Sequence, residues 1–132
     1  SMPEPRADFA LANSQSYLYV IGGEDPEGVS GDLLRYDVGA DSWARYSAKP
    51  TPVADVQAAV IGGRIYVPGG RAADGSVSDA LEVYDPQSDS WASRAALPAP
   101  RSRYALAAVE GKLYLFGGWD GSAFADQVWQ YS

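Results

Sequence analysis

Three short apolar runs along the chain each end in a double glycine: YLYVIGG at 17–23, IYVPGG at 65–70 and LYLFGG at 113–118. The glycine pairs begin 47 residues apart (Gly22 to Gly69) and then 48 apart (Gly69 to Gly117). In-phase similarity at that period predicts a repeat architecture. Within the first run Tyr17, Tyr19 and Ile21 alternate with Leu18 and Val20, the two-residue rhythm of a strand with distinct faces. Small apolar stretches precede each run (FALA at 9–12, VQAAV at 56–60, YALAAV at 104–109), with tight connections NSQS, GGR and EGK between them. A third strand is predicted at LLRYD (33–37) and ALEVYD (80–85), and a fourth from SWARY (42–46) and SWASRA (90–95). No stripe of 3.6-residue period suggests a helix, so each unit reads as four short antiparallel strands.

The aromatic residues keep the same phase. Tyr19, Tyr66 and Tyr114 stand three residues before the first glycine; Tyr36, Tyr84 and Tyr131 follow it by 14 or 15, and Trp43 and Trp91 come seven later. Small first strands suit a crowded centre, and bulky rings fill the space between sheets that splay outward. Tyr19, Tyr66, Tyr114, Trp43 and Trp91 are therefore expected in the core. A double glycine suits a strand end that needs unusual backbone angles or a close backbone approach.

Hydrophobics, GG and then spaced Tyr and Trp, as in KLYLFGG (112–118) and VYDPQSDSW (83–91), resemble the kelch repeat over essentially the whole chain. Pro68 inside the second unit's second strand and a third unit without YDP and Trp are departures. The resemblance implies an all-β kelch β-propeller fragment of about three four-stranded antiparallel blades, the last lacking its fourth strand. The units are placed at 7–49, 54–97 and 102–132. MPEPRADFALA (2–12) matches LPAPRSRYALA (97–107) at an offset of 95, which puts eleven strands in the chain. Three blades leave apolar faces and a strand edge open. Two such halves pairing into a six-bladed ring, or membership of a longer propeller, are the expected remedies.

With 132 residues and a formal charge of −7, the chain lacks the clustered cations that nucleic-acid binding needs, so no nucleic-acid partner is expected. No apolar run approaches the roughly 18–20 residues of a membrane span and no signal-peptide pattern opens the chain, so no membrane partner is expected and no compartment is assigned. Cys and His are both absent. That removes thiolate and imidazole from metal binding and catalysis, and no cofactor or metal is expected.

The resemblance implies that second-to-third-strand loops (24–32, 71–79, 119–126) and fourth-to-first-strand connections (3–8, 50–55, 98–103) share one face. Loops on a rigid scaffold are the usual place for recognition. Repeat offsets make Asp8, Asp55 and Arg103 equivalent, and likewise Arg6, Val53 and Arg101: one framework with different charges. Arg71, Arg101, Arg103 and Tyr104 resemble the pocket in which BTB–kelch adaptors grip acidic peptides; guanidinium forks suit carboxylates, and Trp119 adds anchoring area. The expected function is a non-enzymatic protein- or peptide-binding module with Arg6, Asp8, Asp55, Arg71, Arg101, Arg103, Tyr104, Trp119 and Asp120 at its site. Among kelch-related enzymes, a copper site like that of galactose oxidase needs His. An activity like that of sialic acid mutarotase needs only acids with Arg, for which Asp8, Asp55, Glu24 and Arg103 stand available. A purely structural scaffold is the third reading.

Overall fold

The computed structural model describes residues 1–131; Ser132, the last residue of the expected third unit, lies outside the described residues. Strands β1 (Ala10–Ser14), β2 (Tyr17–Ile21), β5 (Leu33–Asp37) and β6 (Ser42–Tyr46) form one antiparallel sheet in the order β1-β2-β5-β6. A two-residue ribbon, β3 (Glu24–Asp25) with β4 (Gly28–Val29), decorates the loop between β2 and β5. The second sheet, β7 (Ala59–Ile61), β8 (Arg64–Pro68), β9 (Leu81–Asp85) and β10 (Ser90–Arg94), repeats that order. The third holds β11 (Ala105–Val109), β12 (Lys112–Trp119) and β13 (Phe124–Tyr131). There is no helix among the described residues. The all-β propeller fragment with an incomplete third blade is thus the architecture of the chain.

Local chemistry explains the elements. In the turns that follow β5 and β9, Asp37 Oδ1 accepts from the Gly39 and Ala40 N–H groups, and Asp85 Oδ1 from that of Gln87. The in-phase tyrosines close the same turns: the Tyr36 hydroxyl donates to Asp41 at 2.6 Å and that of Tyr84 to Asp89 at 2.8 Å. The recurring Tyr-Asp with a second Asp five residues after the Tyr is therefore a turn device as much as a strand end.

Blades 1 and 2 enclose the main core. Ala10, Ala12, Tyr19, Ile21 and Leu33 of blade 1 pack on Val53 and Val56 of the connection and on Ile65, Val67 and Tyr84 of blade 2. Tyr19 and Tyr84 meet across the gap with ring centroids 6.2 Å apart. The expected core rings differ in depth. Tyr19 is buried, whereas Tyr66, Tyr114, Trp43 and Trp91 are half-buried. Trp43 and Trp91 lie toward the outer edge of the wedge, against Tyr36 and Tyr84, and Trp91 Nε1 donates to the Ser47 carbonyl of the preceding blade at 2.8 Å. Among the described residues no further blade covers the Tyr114 side of the third sheet.

The first glycine of the first two doublets is where blades touch; that of the third, Gly117, faces only Ala125 of its own blade. Gly22 and Gly69 have φ of +68° and +59°, and a Cβ would lie 2.5 Å from the Val53 carbonyl oxygen and 2.2 Å from that of Arg101. Those same carbonyls accept hydrogen bonds from Gly23 and Gly70, each at 2.8 Å. The doublet thus turns the chain and clamps the next connection against it.

Candidate functional site

The residue after each double glycine builds the loop face. Glu24, Arg71 and Trp119 form isolated antiparallel bridges with Ala7, Ala54 and Ser102, so each loop is tied to its own blade's incoming connection. The next connection residues, Asp8, Asp55 and Arg103, run in file from blade to blade. Asp55 N–H donates to Asp8 C=O at 2.9 Å and Arg103 N–H to Asp55 C=O at 3.0 Å. All three hold left-handed backbone angles, with φ of 59°, 57° and 55°. Three rows result: Glu24 with Asp8, Arg71 with Asp55, and Trp119 with Arg103.

Asp55 is the electrostatic hub. Its Oδ2 accepts from Arg71 Nε at 2.8 Å and faces Arg103 Nε at 3.4 Å, while Arg71 Nη2 also pairs with Glu24 Oε2 at 3.1 Å. Hydrogen bonds to Asp55 and then Glu24 hold the Arg71 guanidinium above its ordinary pKa. At the acidic end, partial desolvation, the Asp55 charge and a hydrogen bond with Glu24 push the Asp8 carboxyl up. A hollow of 240 Å³ opens between Asp8, Asp55 and Arg103, floored by Val56 and Tyr104.

The sequence-predicted residues divide into two groups. Asp8, Asp55, Arg71 and Arg103 come together, and the side chain of Arg103 is 59% exposed. Tyr104 lies beneath them but is buried; its hydroxyl bonds the Pro68 carbonyl and, at 3.2 Å, that of Gln57, a strut between blades rather than an exposed anchor. Arg6 and Arg101 turn away from the face. Arg6 is shut in with Asp32 (2.8 Å), Glu4 (3.3 Å) and Asp25 (4.0 Å). Arg101 donates to the Pro100 carbonyl at 2.8 Å and Gln127 Oε1 at 2.6 Å, and lies over the Trp129 ring at 4.4 Å. The expectation that Arg101 joins Arg71 and Arg103 in one pocket is corrected: packing against blade 3 satisfies its guanidinium internally. Asp120 spends its carboxylate on its own loop, accepting from the Ala123 and Ser122 N–H groups at 2.7 Å, which holds its pKa low.

Sequence reasoning missed three contributors. Glu24 was marked only for the enzymatic reading, yet it closes the Arg71 network. Phe124, 76% exposed, meets the Trp119 ring edge-on at 4.8 Å and makes an aromatic ledge on the third row of the loop face, where Trp119 bridges Ser102. The partners of the inward arginines also escaped notice, although repeat offsets expose them: Arg6 with Asp32, Val53 with Ala80, and Arg101 with Gln127 occupy equivalent pairs. Polar meets polar, and apolar meets apolar.

The model of the KLHDC2/KLHL20/DRC7 Kelch-repeats domain matches residues 1–132. Kelch repeat and BTB domain-containing protein 13 of Homo sapiens is 39% identical over 71 residues, covering 54% of this chain and 16% of that protein. Kelch-like protein terF of Aspergillus terreus is 33% identical over 79 residues, 57% of this chain and 17% of its own length. N-(sulfonatooxy)prop-2-enimidothioate sulfolyase of Thlaspi arvense is 33% identical over 76 residues, 53% of this chain and 22% of that enzyme. The chain thus spans less than a quarter of each of these relatives. With in-phase double glycines, blades clamped through them and a family match from end to end, the chain belongs to the kelch-repeat family.

Proposed function

We propose that this domain is a non-enzymatic protein-binding module that takes an extended peptide across the three rows of its loop face. The observation that carries the reading is that the exposed Arg103 guanidinium and the Trp119–Phe124 ring pair belong to the same row of the loop face, Trp119 bridging Ser102, the chain neighbour of Arg103. Arg71 is already bound to Asp55 and Glu24, so the peptide's carboxylate meets Arg103, while Asp8 and Glu24 favour a basic residue at the other end. Peptides selected from a random display library against the domain test this. Arg103→Ala is expected to cost about 2 kcal/mol, roughly a 30-fold weakening, and Arg94→Ala on β10 to cost nothing measurable. Equal affinity of both variants for the selected peptides sinks the reading.

A second reading, self-association, rests on repeat equivalence. Tyr114, Phe116 and Val128 of blade 3 are the counterparts of Tyr19, Ile21 and Leu33 of blade 1. Phe116 and Val128 are 44% and 55% exposed, whereas Ile21 and Leu33 are wholly buried by Ile65, Val67 and Tyr84 of the adjoining blade. Blade 1 carries the counterparts of that covering face in Leu18, Val20 and Tyr36, of which Leu18 and Tyr36 are half-buried and Val20 is buried. A second copy set head to tail continues the interface already present between blades, and two such contacts close a six-bladed ring. Light scattering should give twice the 14.0 kDa chain mass, and Val128→Asp should halve it without unfolding the protein. A monomer, or open-ended growth, overturns this reading.

A further inference from the structure

On the hairpin side of the propeller, opposite the loop face, a cavity of 320 Å³ opens between blades 1 and 2. The turn joining β1 to β2 and the turns around β8 and β9 wall it, and Tyr17, Tyr19, Arg35, Arg64 and Asp85 supply its chemistry. Arg35 is the unusual member. Its guanidinium carbon lies 3.9 Å from the centroid of Tyr17 and 4.5 Å from that of Tyr46, so two rings hold it. Arg6, Arg45, Arg64, Arg71 and Arg103 each face a carboxylate. Arg35 has no salt bridge among the described residues, in a chain of net charge −7; its one polar side-chain neighbour is the neutral Tyr19 hydroxyl. A half-buried cation without a counter-charge in so acidic a protein calls for an explanation.

Stacking between rings satisfies the faces of a guanidinium and leaves its in-plane N–H edge free. Arg35 lines the cavity together with Tyr17, Tyr19 and Arg64, and the Tyr19 hydroxyl takes up only part of the N–H edge. Arg64 is held only loosely, its Nε 3.8 Å from Asp85 Oδ2, and its side chain is half exposed. Asp85 is the opposing charge in the wall, and its other oxygen already accepts from the Gln87 N–H at 3.0 Å. Blade 1 alone supplies the stacked cation: the counterparts of Arg35 in the other blades are Val83 and Gln130.

We propose that this cavity is a binding site for a compact oxyanion, a phosphate or sulfate group, received by the Arg35 fork with Arg64 as the second cation. The site is independent of the loop-face reading and of self-association. NMR titration of the 132-residue chain, following the arginine Nε–H signals, tests it with inorganic phosphate, sulfate and phenyl phosphate at constant chloride. A saturable shift of the Arg35 signal at millimolar ligand or below is expected, and Arg35→Gln should weaken it at least about tenfold. Arg35→Lys keeps the charge and the ring contact but loses the fork, so it is expected to fold as the parent does and still bind at least about fivefold more weakly. Tighter binding of phenyl phosphate than of inorganic phosphate identifies an organic ester as the ligand; equal binding identifies the free anion. Absence of a saturable shift, or binding unchanged in Arg35→Lys, overturns the proposal.

Discussion

Gly69→Ala is expected to leave the domain unfolded at room temperature. A methyl there would sit 2.2 Å from the Arg101 carbonyl oxygen, a backbone atom that cannot move without dragging the blade 2–3 connection with it. The same carbonyl accepts the Gly70 N–H at 2.8 Å, so any retreat breaks the hydrogen bond that joins the blades. A side chain at positive φ alone costs about 1–2 kcal/mol, and clash with lost pairing takes the total beyond roughly 4–5 kcal/mol, most of a small domain's stability. Gly62→Ala is the internal control. Gly62 has the same φ of +59° but nothing within 4 Å of its would-be Cβ, so only the conformational term of about 1 kcal/mol remains, a midpoint shift of roughly 4 °C. Thermal unfolding by circular dichroism measures both. Similar midpoints for the two variants would show that the doublet serves the turn alone and clamps nothing.

Lys49→Ala is expected to cost about 3–5 kcal/mol, because it strands the Glu82 carboxylate inside the protein. Lys49, on the connection between blades 1 and 2, and Glu82, on β9, are both buried, with Nζ 2.5 Å from Oε1. Thr51 completes the cage: its N–H donates to Glu82 Oε1 at 3.2 Å, its hydroxyl to Oε2 at 2.9 Å, and its carbonyl accepts from Lys49 Nζ at 3.1 Å. Burial holds the Lys49 amine below its ordinary pKa, and the hydrogen bond to Glu82 only partly offsets this. The other repeats reach the same positions without charge, with Leu97 in place of Lys49 and with Leu34 and Trp129 in place of Glu82. The double variant Lys49→Leu/Glu82→Leu should therefore regain at least half of what the single change loses. The remainder reflects the unpaired N–H and hydroxyl of Thr51, at about 1–3 kcal/mol for a buried polar group. Chemical denaturation of the single and double variants decides the point. Additive losses would mean that the two side chains do not act as a pair.

Much of the fold was legible because a repeat states each requirement more than once. Three glycine doublets in phase mark three strand ends, and Tyr36 and Tyr84 mark equivalent turns. Offsets made Asp8, Asp55 and Arg103 equivalent; that backbone hydrogen bonds link them in file from blade to blade came from the structure. The site was less legible. Arg101 and Arg103 are two residues apart and looked alike in sequence, yet one is buried against Trp129 and the other reaches solvent. Tyr104, expected among the site residues, is buried and spent on joining blades 2 and 3 through the Pro68 and Gln57 carbonyls.

Periodicity in the residues alone was enough for the eleven blade strands and their order, since those depend on local pattern and on glycine's missing side chain, but not for the β3–β4 ribbon, which occurs in one repeat only. Which charges face solvent and which are sealed inside was settled only when the blades packed. Those choices pair residues tens of positions apart, as Arg6 with Asp32 or Lys49 with Glu82, and a buried charge is tolerated only where the neighbouring blade supplies its counterpart.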